Sequence, residues 1–81
     1  MSESVSFEPQ NLASLKLFFE ENKDKYHEIW IIITNKKAAN PQPLTFSQAV
    51  TEAIKQGLID SRIKNIDEKK YMIRFTKRNK A

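Results

Sequence analysis

The segment Glu28-Ile-Trp-Ile-Ile-Ile-Thr34 constrains the fold of this chain more than any other. Its β-branched and aromatic residues make it a strand. Side chains alternate across a strand, so Ile29, Ile31 and Ile33 point to one face, and Trp30 and Ile32 to the other. A strand that is apolar on both sides needs cover on both sides. Two arrangements supply it: helices on opposite faces of the sheet, or a second copy of the protein on one of them.

The flanking sequence provides the helices. Leu12, Leu15, Phe18, Phe19 and Asn22 recur at steps of three and four residues, the spacing of about three helical turns. Asn11 precedes them as the N-cap, because its side-chain oxygen can accept from an unpaired amide of the first turn. The helix should run out in Asn22-Lys-Asp-Lys-Tyr26. After the strand, Asn35-Lys-Lys-Ala-Ala-Asn-Pro-Gln-Pro43 reads as a loop, since its prolines forbid regular structure. Thr45-Phe-Ser-Gln48 then matches a capping box. Phe46, Ala49, Val50, Ala53 and Ile54 make one apolar stripe behind it, and Gly57, the only glycine, fits the C′ position where φ is positive.

Beyond Gly57 the pattern changes to alternation. A strand is expected from Ile59 to Ile66, a turn at Asp67-Glu-Lys-Lys70, and a return strand from Tyr71 to Thr76. Tyr71, Ile73 and Phe75 share one face, which Ile59 and Ile63 can join. Arg62, Lys64 and Arg74 fall on the other, beside Met72 and Ile66. The order helix, strand, helix, strand, strand predicts a single α+β domain over residues 1–81. Its sheet is three-stranded and mixed, ending in a C-terminal β-hairpin, with the first strand paired to the third. Residues 1–10 and 77–81 are expected to be flexible.

Charge follows the same division. Residues 1–57 carry six Lys and seven Asp or Glu, whereas residues 58–81 carry eight Lys or Arg and three acids, so all the excess of the +4 net charge lies in the hairpin and tail. An electrostatic contact with phosphate or an acidic partner would use such asymmetry; solubility alone also accounts for it. There is no Cys, which excludes disulfides and thiolate metal sites and fits a reducing compartment. The N-terminus has neither a basic start nor an apolar run, so no signal peptide and no membrane contact are expected.

Catalytic chemistry finds little support. His27 stands alone among the charged residues Glu20, Glu21, Asp24 and Glu28, too few converging ligands for a metal. No base is paired with an orienting group, so the chain reads as non-enzymatic, with no cofactor. Asp60, just after the helix-ending glycine, caps a turn or pairs with Arg62 or Arg74. The basic hairpin is the best binding candidate: Arg62, Lys64 and Arg74 could meet successive phosphates, and Lys69, Lys70, Lys77, Arg78 and Lys80 extend the field. An exposed aromatic platform, the usual partner of such a stripe, is missing because Tyr71 and Phe75 are assigned to the core. A winged helix would also carry a basic hairpin, but it needs two helices where residues 35–57 hold one.

Taken in order, Ile29-Trp-Ile-Ile-Ile33, Lys36-Lys37, Pro43-Leu-Thr-Phe-Ser-Gln-Ala-Val-Thr-Glu-Ala-Ile54, Gly57-Leu-Ile-Asp60, Tyr71 and Arg74-Phe-Thr-Lys-Arg78 resemble the YdeI/OmpD-associated, or bacteriocin-protection, family. The likeness spans residues 11–78, and its most specific element is that family's Gly-Trp-Ile-Asp, matched at Gly57, Ile59 and Asp60. Leu58 stands in place of its Trp and Lys77 in place of the Pro of its Thr-Pro-Arg. The chain also stops before the Ser- and Trp-containing segment that commonly follows. The resemblance implies a small cytoplasmic α+β domain of undefined molecular activity, with a role in envelope stress or bacteriocin tolerance. The expected site is Asp60, Arg62, Lys64, Arg74, Lys77 and Arg78, with Asp60 orienting an arginine and the cations holding an anionic group. Nucleic acid is one expected partner, weakly bound; a protein or a second copy on the Trp30/Ile32 face is the other.

Overall fold

The computed structural model describes residues 4–35 and 42–77. Its elements run β1 (Ser4–Phe7), α1 (Leu12–Asn22), β2 (Glu28–Thr34), α2 (Phe46–Lys55), β3 (Leu58–Asn65) and β4 (Lys70–Lys77). The sheet is α+β and mixed as expected, but it has four strands rather than three, in the order β1-β2-β4-β3. The added strand comes from the predicted flexible N-terminus: Ser4 to Phe7 pairs in parallel with Glu28 to Ile31. Its anchor is aromatic. Phe7 stacks on Phe18 of α1 with ring centroids 4.2 Å apart and planes 3° from parallel. Part of the predicted loop, 36–41, and the tail from Arg78 onward lie outside the described residues.

Both helices begin at the predicted caps. The Ser14 amide donates to Asn11 Oδ1 at 2.8 Å. At α2 the Gln48 amide donates to Thr45 Oγ1 at 3.1 Å, while the Thr45 amide donates to Gln48 Oε1 at 3.0 Å. Each end so closed satisfies amides that the helix itself leaves unpaired. Gly57 ends α2 with φ +81°. The buried stripe of α2 is turned from the predicted one: Ala49, Glu52 and Ala53 are inside, whereas Phe46 and Ile54 are exposed.

The two helices share one face of the sheet. Leu15 and Phe19 of α1 and Ala49 and Ala53 of α2 form one core with Ile29, Ile31, Ile33, Ile73 and Phe75. Phe19 meets Phe75 edge to face, with ring centroids 5.5 Å apart. Each fully buried Ile, Leu or Phe stabilises the fold by about 1.5–3 kcal/mol. Because both helices lie there, the second apolar side of β2, with Trp30 and Ile32 half-buried, is covered by neither helix among the described residues. That is the arrangement in which helices leave one face of the sheet free.

Candidate functional site

Register decides what the uncovered face carries. β2 and β4 are antiparallel with Trp30 opposite Arg74, Ile32 opposite Met72 and Thr34 opposite Lys70. On the far side of β4, Arg62 faces Arg74 and Lys64 faces Met72. On the other flank, Ser6 of β1 lies beside Trp30. The face therefore has an apolar centre of Trp30, Ile32 and Met72, each half-buried, bordered by Arg62, Lys64, Arg74 and Lys70. A shallow open hollow of about 350 Å³ lies between Ser4 and Ser6 on one side and Lys64 and Met72 on the other, with Trp30 in its wall.

Arg74 is held in place from two sides. Its Nη2 donates to Glu28 Oε2 at 2.7 Å, and its Nη1 to Ser61 Oγ at 3.2 Å. Ser61 Oγ also donates to the Arg74 carbonyl at 3.3 Å. The serine reaches it because β3 is irregular there: pairing steps from Asp60 opposite Phe75 to Arg62 opposite Arg74, so Ser61 is the extra residue of a bulge. Bulges re-aim side chains in this way. Glu28 makes a second contact, accepting from Trp30 Nε1 at 3.2 Å. The Arg74 guanidinium first, and the indole N–H second, hold the Glu28 carboxyl below the usual range of a glutamate. One carboxylate thus links the aromatic and the cation at the middle of the face.

The predicted site residues divide between two sides. Arg62, Lys64 and Arg74 share the uncovered face, and Tyr71 and Phe75 point inward, as the alternation requires. Among the described residues no arginine pairs with Asp60, which is registered opposite Phe75 on the helix side; the carboxylate on Arg74 is that of Glu28. Lys77 also leaves the set, since its Nζ donates to Asp24 Oδ1 at 2.6 Å, and that contact lowers the Asp24 pKa. Arg78 and Lys80 lie outside the described residues. Lys70 Nζ pairs with Glu8 Oε2 at 2.8 Å, while Arg62 and Lys64 have no ion pair among the described residues. The bulge moves Ile59 as well: it sits opposite Thr76 on the uncovered side, not with Ile63.

The open face does carry one aromatic, Trp30, half-buried. Its alternation with Ile29 and Ile31 puts it away from the core, and the location of both helices on the other side leaves it without a helix over it. Among the described residues, no three His, Asp or Glu side chains converge on a metal-sized site. Nor is any described helix long and apolar enough to cross a membrane.

The model of one protein family matches residues 7–81, from the end of β1 through the whole hairpin. The chain belongs to the family described as a domain of unknown function, DUF8412. The DUF8412 match takes in Glu28, Trp30, Ser61, Arg62, Lys64, Met72 and Arg74, so the face described above lies inside the family's domain apart from Ser4 and Ser6. No curated protein matches the chain.

Proposed function

We propose that this domain is a non-enzymatic binding module that holds single-stranded nucleic acid on its uncovered sheet face. One observation carries the reading: Trp30 lies on the same open surface as Arg62, Lys64 and Arg74. A base stacked on an indole gains about 1–3 kcal/mol whatever its identity, and the neighbouring cations meet the phosphates. Groups that read base edges are not part of this design, so binding is weak, salt-sensitive and tolerant of sequence. Dissociation constants of about 10⁻⁴–10⁻⁶ M are the range of such contacts at physiological salt.

A second copy on the Trp30/Ile32 face is the other reading, and the apolar centre favours it. Against it, facing copies would set Arg62, Lys64 and Arg74 near their own counterparts, whereas a polyanion meets them with opposite charge. The likeness of Gly57, Ile59 and Asp60 to the YdeI/OmpD-associated motif remains a proposal about descent, as does a cytoplasmic setting, and neither names a ligand.

Trp30 is the only tryptophan, so its emission reports the face directly. Titrating the protein with short RNA and DNA strands and with a duplex should quench that emission with the single strands. Three phosphate contacts predict a slope of log K against log salt of about −2. Trp30→Ala should weaken binding about tenfold or more by anisotropy of a labelled strand. No quenching by either strand at low salt, with self-association that is indifferent to salt, would transfer the face to the second-copy reading.

A further inference from the structure

The contacts of Glu28 point to a more specific device within that reading. Two arginines stand directly across the strands from each other, Arg62 opposite Arg74. Opposed like charges destabilise a sheet. Among the described residues one carboxylate serves the pair, and only through Arg74, at 2.7 Å. A carboxylate oxygen on a guanidinium has the charge and hydrogen-bond geometry that a phosphate oxygen would have.

We propose that the Ser61 bulge, Arg62 and Arg74 form a phosphate subsite, and that Glu28 is its internal counter-ion, displaced when a nucleotide phosphate binds. The proposal rests on the single-strand reading of this face. Ser61 Oγ, 3.2 Å from Arg74 Nη1, fixes the guanidinium from the side away from Glu28 and keeps it in position once the carboxylate leaves. Arg62, exposed and without an ion pair among the described residues, adds the second positive charge. Because Glu28 also accepts from Trp30 Nε1 at 3.2 Å, its departure releases the indole at the same moment. Phosphate capture and base stacking are thereby coupled through one side chain. In the free protein Glu28 acts as a brake on binding.

Anisotropy of a labelled single strand, as RNA and as DNA, tests this with the full chain. Glu28→Gln should bind about tenfold more tightly than wild type, the value of one charge-assisted contact no longer contested. Asp24→Asn removes the same charge beside Lys77, outside the subsite, and should change affinity less than about twofold. The gain should vanish in Glu28→Gln combined with Arg74→Gln, which a double-mutant cycle records. Glu28→Thr, a better strand former, repeats the measurement should the amide variant fold poorly. Strand binding by wild type with no gain in Glu28→Gln beyond that of Asp24→Asn overturns the subsite and leaves the single-strand reading standing. Absence of binding by wild type and variants alike removes both.

Discussion

Arg62 shows most directly how this chain keeps an unfavourable residue. Directly across from Arg74, and facing solvent, it opposes a like charge where a neutral β-branched side chain would be accommodated better. Removing it should therefore separate stability from binding. Arg62→Thr is expected to raise stability by a few tenths to about 1 kcal/mol in urea unfolding, and to weaken strand binding severalfold. A loss of stability would contradict the strain assigned to the opposed arginines, and unchanged affinity would show that Arg62 has no part in binding. Gly57 is constrained in the opposite sense. Its φ is +81°, yet a Cβ there would meet nothing within 4 Å, so the cost of a side chain is conformational and not steric contact. Gly57→Ala should lower stability by about 1–2 kcal/mol, read from the urea midpoint.

At the scale of elements, α2 depends on its cap and the hairpin on its turn. Thr45→Ala should cost about 1 kcal/mol, since it removes the acceptor of the Gln48 amide. In the turn, Asp67 Oδ1 accepts from the amides of Lys69 at 2.7 Å and Lys70 at 2.9 Å, and these bonds lower its pKa. A carboxyl whose folded pKa is depressed stabilises above its unfolded value and loses that contribution as pH falls through the folded one. Asp67→Ala should therefore be less stable than wild type at neutral pH, and the difference should close below the ordinary carboxylate range. A gap that stays constant with pH would contradict the role given to these bonds.

Much of this was legible from residue order. Asn11 and Thr45 announce their helices, and the alternation of Tyr71, Ile73 and Phe75 orients β4, because each depends on a few neighbouring residues. What failed to show depends on tertiary context. The bulge is one such feature: Ile59 and Ile63 are spaced to share a face, and nothing local in Leu58–Asn65 marks Ser61 as the extra residue. β1 is another. Val5 and Phe7 do alternate, but four residues form a strand only because β2 offers an edge and Phe18 a stacking partner. Glu52 is a third: it is 6% exposed, with Oε2 accepting from Gln56 Nε2 at 3.0 Å, and Gln56 Oε1 accepting from Lys23 Nζ at 3.1 Å. A charged residue in a buried stripe is unexpected until this relay between the ends of α1 and α2 is seen.

For the molecule as a whole, the decisive property is one-sidedness. Both helices pack on a single face, so the chain's strongest strand presents Trp30 and Ile32 on a surface bordered by cations. Of the predicted anion-binding residues, the three that share this surface are Arg62 and Lys64 on β3 and Arg74, opposite Arg62, on β4, and alternation alone puts them on one side. Their relation to Trp30 appears only when β2 is placed beside β4. The most direct test is to map nuclear magnetic resonance shifts of the labelled protein as a short single strand is added at low salt. Changes are expected at Ser6, the Trp30 indole, Ser61, Lys64, Met72 and Arg74, with Leu17 and Ile54 on the helix side unmoved. Shifts confined to the helix side, or to Asp24 and Lys77, would contradict a binding surface on the open sheet.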